Sequence, residues 1–245
     1  MESDGFIGGL VTNATKSTGV ILVNENLRKE RRRFTIGHEL GHFLIPTHLP
    51  GKDDRFLCSL KDLLALDPKI ADRRIRWEAE ANRFSSLLLV PPPIFRKQAN
   101  ASKDPDLRDV VRLAHQYEVS KEVMGRAYVD YRHEPIAFVV THNGRVQRYF
   151  SRKTDFPFIT VRWGDPVPRH SLLMRKQHTV SVASEIEETD AALWFDVSRG
   201  HKAPTLFEQV YQQQQGYALI LLSLEQQEDE DDDELEDSRS RFDRR

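Results

Sequence analysis

Two histidines and a glutamate lie within five residues of one another early in the chain. His38, Glu39 and His42 form the pattern H-E-x-x-H inside the segment FTIGHELGHF. If this segment is helical, the two imidazoles lie one turn apart on one face, where they can bind a single metal ion. Glu39 is too close to His38 to be a natural third ligand, but it is well placed to take a proton from a water at the metal. The alternative is a pair of surface histidines on an ordinary helix.

The residues around the motif predict a helix with one apolar face. Apolar residues recur there at helical spacing and are expected to be buried; they are Ile36, Leu40 and Phe43. Pro46 marks the end of the helix. Gly37 and Gly41 are poor helix formers beside the candidate ligands. They indicate that another part of the structure approaches the backbone closely at this point.

A zinc site of this kind needs a third protein ligand and an open position for water. Residues 77–90, WEAEANRFSSLLLV, predict a second amphipathic helix that ends at the prolines 91–93. Its expected apolar stripe is Trp77, Ala81, Phe84 and Leu88. Glu78 and Asn82 are four residues apart and share a face, whereas Glu80 points elsewhere. Spacing alone leaves both glutamates open as the third ligand.

The two motifs together resemble the ImmA/IrrE family of metallopeptidases. The chain carries HELGHF and, after a gap, E-x-E-A-N-R-F-x-x-x-L-L-x-P, and a looser resemblance continues towards residue 225. The resemblance implies a zincin-like domain in which Glu78 is the third zinc ligand beside His38 and His42. It also implies that Glu39 is the catalytic glutamate. Asn82, one turn from Glu78, is a candidate for orienting a ligand or the bound peptide.

The departures from the family pattern do not fall on these ligands. Ser85 and Ser86 stand where small apolar residues are usual, and Val90 stands where methionine is common. Ligation by two histidines and a glutamate favours Zn²⁺, with Mn²⁺ or Fe²⁺ as alternatives. Family members often carry more chain before the first hairpin, so the resemblance leaves open whether a further segment precedes it.

The resemblance also implies a substrate class. Family members act on helix-turn-helix repressors, which releases repressed genes under stress or on transfer of a mobile element. The predicted function is therefore a zinc-dependent endopeptidase that cleaves a repressor as its protein partner. Two alternatives are a DNA-binding regulator with a structural metal site and a non-proteolytic sensor that binds a repressor.

Residues 104–130 bear on the first alternative. They predict a helix, a short turn and a second helix with Ser120 as its N-cap. In a DNA-reading version the second helix presents basic or amide side chains to the major groove. This one offers Lys121, Glu122 and Arg126, so we favour a helical packing module over direct nucleic-acid binding, which stays open as the alternative.

Two shorter segments flank the H-E-x-x-H motif. The run RKERRR at residues 28–33 is expected to be a solvated linker. Residues 47–70 are expected to be a loop-rich insertion with a helical patch at residues 60–66. His48 would need a tight backbone reversal after Pro46 to reach the metal, so it ranks below Glu78 as a ligand.

Composition limits the compartment and the partners. Cys58 is the single cysteine, which excludes a disulfide within the chain and favours a reducing cytoplasm. No basic segment followed by an apolar core opens the chain, and no run approaches the roughly 18 apolar residues of a spanning helix. We therefore expect a cytoplasmic protein with no membrane partner.

Charge is divided unevenly along the chain. Residues 225–245 contain 11 acidic residues and 4 arginines and are expected to form a disordered acidic tail. The remaining residues carry 32 lysines and arginines against 27 acidic residues. This mildly basic body is weak support for an acidic or nucleic-acid partner.

The fold expected from these patterns is α+β. Residues 1–98 are expected to form the metallopeptidase core, beginning with a β-hairpin over residues 5–25. Residues 99–132 form the helix-turn-helix-like segment, residues 133–225 a small β-rich or α+β domain, and residues 226–245 the tail. The expected strands of the C-terminal domain are IAFVVT, VQRYF, FITVRW, HTVSVA, AALWF and YALILLSL.

Overall fold

The computed structural model describes residues 6–50, 72–197 and 203–225, together with the backbone of residues 55–59. These residues form two antiparallel sheets and six α-helices. The mixed α and β content agrees with the expected fold class. No helix in these ranges is long and apolar enough to cross a membrane.

The first sheet has three antiparallel strands in the order β2-β1-β3. β1 (Phe6–Thr12) and β2 (Gly19–Val23) form the hairpin that the sequence predicts. β3 (Arg55–Ser59) pairs with the other side of β1, inside the segment predicted to be loop-rich. The helical patch predicted for residues 60–66 lies outside the described residues.

The first two helices carry the two motifs. α1 (Lys29–Leu44) ends before Pro46, as predicted, but it begins five residues before the predicted segment. The run at residues 28–33 is therefore not a linker: apart from Arg28, which precedes the helix, it forms the first turns of α1. Arginine, lysine and glutamate are good helix formers, which accounts for the early start. α2 (Arg73–Leu89) begins after Asp72, whose carboxylate accepts the backbone N–H groups of the first turn.

α1 and α2 approach each other through small residues. A Cβ atom on Gly37 would lie 2.6 Å from Ser85 Oγ, and one on Gly41 would lie 3.2 Å from Ala81 Cα. Ser85 Oγ also donates a hydrogen bond of 2.8 Å to the carbonyl of Phe34. The two glycines therefore serve a close approach, as predicted, and the element that approaches is α2.

The predicted apolar faces of these helices are only partly correct: Ala81 is fully buried, but two other members are not. Ile36 and Leu88, expected to be buried, are 46% and 48% exposed. The buried side of α1 is instead small and polar; it consists of Thr35, Gly37, His38, Glu39, Gly41 and His42. On α2 the buried residues are Ala79, Ala81, Asn82 and Ser85. The helix pair buries the face that carries the candidate ligands, so apolar periodicity misplaces Ile36 and Leu88.

Three further helices follow α2. α3 (Pro92–Ala99) begins with prolines, whose fixed φ suits the first helical turn. α4 (Leu107–Tyr117) and α5 (Lys121–Tyr131) form the predicted helix, turn and helix. Glu118 takes the left-handed conformation at the end of α4, with φ 53°, and Ser120 Oγ accepts the backbone N–H of Val123 at the start of α5.

The second sheet has five antiparallel strands in the order β5-β4-β8-β7-β6. The strands are β4 (Ile136–His142), β5 (Arg145–Ser151), β6 (Glu187–Thr189), β7 (Leu206–Gln212) and β8 (Tyr217–Leu224). A short helix, α6 (Leu172–Arg175), and a single 3-10 turn (Ala191–Leu193) lie in the long connection between β5 and β7.

The sequence identifies only part of this sheet. The runs IAFVVT, VQRYF and YALILLSL form β4, β5 and β8, as predicted. The runs FITVRW, HTVSVA and AALWF form no named strand, and AALWF instead contains the 3-10 turn. β7 was missed because Glu208 and Gln209, both buried, interrupt its apolar pattern. Burial raises the pKa of Glu208.

The two faces of the second sheet bury different cores. Successive side chains of a strand point to opposite faces, so Phe138 and Val140 of β4 pack against the helices while Ala137 and Val139 face the other core. The helical side includes buried residues of α3, α4 and α5. The helix-turn-helix segment and the sheet therefore share one hydrophobic core.

We expect Gly125→Ala to destabilise the protein. A Cβ atom at this position of α5 would lie 2.5 to 2.6 Å from ring atoms of Phe138, which is fully buried in a central strand. Overpacking of a buried site costs about 1–3 kcal/mol, whereas glycine to alanine in an unhindered helix gains about 1 kcal/mol. Chemical denaturation measures the change in the free energy of unfolding. A decrease shows that overpacking outweighs the gain in helix propensity.

Gln116→Ala is a control for this variant, because Gln116 is an exposed residue of α4. Its free energy of unfolding is expected to stay within about 0.5 kcal/mol of the unsubstituted protein. A stabilised Gly125→Ala variant would show that the Phe138 ring moves aside at little cost.

Candidate metal centre

Three donor atoms from α1 and α2 meet at one point. His38 Nε2 lies 3.1 Å from His42 Nε2 and 3.1 Å from Glu78 Oε2, and His42 Nε2 lies 3.4 Å from Glu78 Oε2. Ligands about 2.0–2.1 Å from a tetrahedral zinc ion lie about 3.3 Å from one another. The triangle formed by these atoms therefore has the dimensions of three zinc ligands.

The protonation of this group suits metal binding. Burial alone would raise the pKa of Glu78, but the adjacent imidazoles of His38 and His42 outweigh it and lower the pKa to about 2. Burial lowers the pKa of His42, despite its hydrogen bond to Glu78. A charged carboxylate beside a neutral imidazole is the state in which these groups bind a metal ion.

Asn82 holds the other nitrogen of His38. Its Oδ1 lies 2.9 Å from His38 Nδ1, and both side chains are buried. With the amide oxygen assigned to this contact, Nδ1 carries the proton and the lone pair of Nε2 points at the triangle. The structure thus brings Asn82 to the first histidine of the motif, and Glu78 to both.

Glu39 is fully buried next to His38. Its carboxylate lies beneath β1, since a Cβ atom on Gly8 would come within 3.7 Å of Glu39 Oε1. The same Cβ atom would overlap Cγ2 of Thr35, so only glycine allows β1 to pack this closely on α1. Burial of a carboxylate is costly, and such groups are candidates for proton transfer where they adjoin a metal site.

The ligand set leaves room for a reaction. In the part of the chain that the structure describes, no fourth histidine, cysteine, aspartate or glutamate joins the triangle. Structural zinc sites are closed by four protein ligands, whereas catalytic sites have three and an open position. Two imidazoles and one carboxylate therefore fit a catalytic zinc centre in both number and chemistry.

Two candidates from the sequence lie outside the triangle. Glu80 Oε2 lies 2.8 Å from His48 Nε2, so this glutamate contacts a third histidine. His48 is fully buried, and its Nδ1 lies 3.0 Å from Nδ1 of His42. The side chain of Cys58 and residues 60–71, which lie between the motifs, fall outside what the structure describes.

Sequence reasoning missed Lys16, in the turn between β1 and β2. Its Nζ donates to the backbone carbonyls of His42, Ile45 and His48, at distances of 2.8, 2.6 and 2.9 Å. A cation at the C-terminus of a helix is favoured by the unsatisfied carbonyls there. A lysine in a turn carries no sequence signal for such a contact, because the carbonyls come from a distant segment.

The second helix of the helix-turn-helix segment packs against the second sheet. Three of its residues contact the second sheet: the Glu122 carboxylate pairs with Arg148 at 2.7 Å, Arg126 lies over the ring of Phe150, and Lys121 lies over that of Tyr211. These are the side chains that a DNA-reading helix would present to the groove. The packing supports the structural interpretation of this segment.

The turn of that segment contacts α1. Arg33 of α1 donates to the carbonyls of Tyr117 and Glu118, and Lys29 pairs with the Glu118 carboxylate. These contacts join the start of α1 to the end of α4. They connect the helix that carries two of the candidate metal ligands to the helical layer on the second sheet.

Comparison with known proteins gives two sequence relationships. The profile of the IrrE N-terminal-like domain matches residues 7–128, which include both motifs. The radiation response metalloprotease IrrE of Deinococcus radiodurans is 30% identical over 129 residues. This match covers 53% of the chain and 36% of the relative, so the chain spans about a third of that protein's length.

A solved structure is similar in fold. It is a transcriptional regulator of Mycobacterium tuberculosis, with a TM-score of 0.51 and 17% identity, and the match covers 84% of this chain and 59% of that one. At this identity the likeness concerns the fold. The two sequence matches and the two motifs lead to one conclusion: the chain belongs to the ImmA/IrrE family of metallopeptidases.

Proposed function

We propose that this protein is a zinc-dependent endopeptidase. The observation that carries the proposal is the triangle of His38 Nε2, His42 Nε2 and Glu78 Oε2, all within 4.8 Å of one another. Glu39, next to His38 in the sequence, is fully buried. The family assigns a metallopeptidase domain to the chain. The donor set of two histidines and a glutamate suits a catalytic zinc ion, with manganese or iron as alternatives.

The roles of the residues follow from their positions. His38, His42 and Glu78 would hold the metal, which when bound acts as a Lewis acid on water and on the scissile carbonyl. The Glu39 carboxylate would accept a proton from the attacking water and then deliver it to the nitrogen of the leaving amine. Asn82 would keep His38 in the tautomer whose Nε2 is free of hydrogen.

The first sheet offers an edge to an extended peptide. β2 is an outer strand of the order β2-β1-β3, and its Val20 and Leu22 are exposed. A strand edge can bind a substrate backbone by forming further sheet hydrogen bonds. This edge supports a protein substrate for the same site.

A helix-turn-helix repressor is the substrate class that we propose, with release of stress or mobile-element genes as the outcome. One relative is named for the radiation response and the structural neighbour is named as a transcriptional regulator, and both names agree with a role in gene regulation. A reducing cytoplasm is part of this proposal, since the chain has one cysteine.

The alternative functions are weakened to different degrees. A DNA-binding regulator would need α5 exposed, whereas Lys121, Glu122 and Arg126 all contact the second sheet. A sensor that binds a repressor without cleaving it would use the same fold, so the distinction depends on whether a product forms.

The metal site predicts a defined metal content. Protein purified without chelator is expected to contain about one zinc ion per chain, and His42→Ala and Glu78→Ala are expected to lose it, because two protein ligands hold zinc weakly. Elemental analysis measures this, and circular dichroism checks that each variant is folded. His115→Ala, at an exposed position of α4, is the control and should retain the metal. A folded protein that takes up no zinc would contradict the proposal.

The role of Glu39 predicts a separation of binding from cleavage. Glu39→Gln is expected to bind zinc normally but to lose at least about 100-fold in cleavage rate, the range typical for a general base. The assay incubates the protein with a candidate helix-turn-helix repressor and identifies fragments by mass spectrometry. Glu122→Gln, remote from the site on α5, is the matched control.

Full cleavage activity in Glu39→Gln would rule out this role for Glu39. A stable complex with the repressor and no fragment from the unsubstituted, zinc-loaded protein would favour the sensor instead.

A further inference from the structure

We propose that His48 and Glu80 are positioning residues that fix His42 for metal binding, and that Lys16 holds the backbone that carries His48. The inference rests on the proposed metal site and deepens it. It concerns the histidine that sequence reasoning ranked below Glu78 as a ligand, and the glutamate that spacing left open.

A continuous chain of hydrogen bonds runs from the ligand triangle to α2. His42 Nδ1 lies 3.0 Å from His48 Nδ1, and His48 Nε2 lies 2.8 Å from Glu80 Oε2. Both imidazoles are buried, whereas Glu80 is partly exposed at the far end. The chain therefore leads from the metal position outwards to a carboxylate that solvent can reach.

When His42 Nε2 binds a metal ion, the hydrogen positions along this series of hydrogen bonds are fixed. A metal ligand uses the lone pair of His42 Nε2, so His42 Nδ1 carries the hydrogen and donates it to His48 Nδ1. His48 Nδ1 is then the acceptor, and its hydrogen lies on Nε2, from which it is donated to the Glu80 carboxylate. The contact with His48 thus selects the metal-binding tautomer of His42, as Asn82 does for His38.

The ring of His48 is fixed from a second direction. It stacks on Trp77 of α2, with 5.2 Å between ring centroids and 28° between the planes. Arg73 covers the Trp77 ring in turn, at 4.4 Å from its centroid. A side chain held by stacking and by hydrogen bonds at both nitrogens has little freedom to leave His42.

Lys16 explains how the backbone brings His48 back to α1. The chain must reverse after Pro46, and the carbonyls at the end of a helix lack partners within it. The Lys16 ammonium joins the carbonyls of His42 and Ile45 to that of His48, so one cation ties the last turn of α1 to the reversed segment. The hairpin thereby supports the metal centre through a contact remote from the ligands.

The two glutamates of the E-x-E-A-N motif thus have different tasks. Glu78 joins the triangle directly, and Glu80, two residues later on the same helix, ends the hydrogen-bond chain from His42. α2 therefore reaches His42 directly through Glu78 and indirectly through Glu80, which contacts His48. If His48 had only a structural role, its packing against Trp77 would be sufficient. The hydrogen-bond acceptor that it directs at His42 would then have no purpose.

The test compares two substitutions of His48 by their zinc affinity. His48→Leu keeps apolar volume but removes the acceptor, and we expect zinc to bind about 10–100-fold more weakly, the usual loss for a residue that orients a ligand. His48→Asn places its amide oxygen near the position of Nδ1, so we expect it to recover most of the affinity. Competition with a chromophoric chelator measures the zinc dissociation constant.

A second readout follows the geometry of the site. With Co²⁺ in place of zinc, the visible absorption of His48→Leu is expected to change in shape, while that of His48→Asn stays close to the unsubstituted protein. Thermal unfolding without metal checks that both variants fold. His115→Leu, at an exposed position of α4, is the control for both measurements.

The outcomes separate this inference from the proposed function. If the unsubstituted protein binds no zinc, the metal site itself fails. If it binds zinc and His48→Leu binds equally well, His48 does not position His42. If the leucine and asparagine variants are weakened equally, packing rather than the hydrogen bond is responsible, and the inference is overturned.

Glu80 and Lys16 are tested in the same assay. Glu80→Ala removes the terminal acceptor, and Lys16→Met removes the ammonium while retaining the aliphatic stem. Both are expected to weaken zinc binding in the same direction as His48→Leu, with a normal zinc affinity in the His115→Leu control. An unchanged dissociation constant in either variant would remove that residue from the proposal.

Discussion

The structure depends on how closely α1 and α2 can approach. Gly37 and Gly41 present bare backbone to Ala81 and Ser85, and this contact brings the donor atoms of two helices within 3.4 Å of one another. A larger side chain at either glycine would separate the helices, and a metal site does not tolerate displacement of its ligands by an ångström. The same close contact explains why the buried side of the pair is small and polar, with little of the apolar surface that usually holds helices together.

The sequence predicted which residues meet at the candidate site better than it predicted the surroundings of that site. The H-E-x-x-H spacing and the E-x-E-A-N motif identified the residues that meet, because helical spacing determines which side chains share a face. The burial of Ile36 and Leu88 was predicted wrongly, since the chemical face of each helix is the buried one. His48 and Lys16 were undervalued or missed because their contacts depend on a backbone reversal and on a turn, neither of which has a periodic signal. β7 escaped detection because Glu208 is buried within it.

The helical segment after α3 belongs structurally to the second sheet. At the end of its first helix, Arg33 of α1 donates a hydrogen bond to the carbonyl of Tyr117, and Lys29 of α1 pairs with Glu118. Its second helix lies on β4 and β5. A helix-turn-helix pattern in sequence therefore marks a connector between the metal-ligand helices and the C-terminal sheet. The pattern alone does not distinguish the two uses, because both require the same caps and the same apolar spacing.

The two histidines of the motif differ in the groups that contact their Nδ1 atoms. Behind His38 is a neutral amide, Asn82, whereas behind His42 the hydrogen bonds end at a carboxylate, Glu80. A hydrogen bond that leads to an anion increases the electron density of an imidazole more than one to an amide does. A cation between them would therefore meet two nitrogens of unequal basicity, with the more basic one on His42.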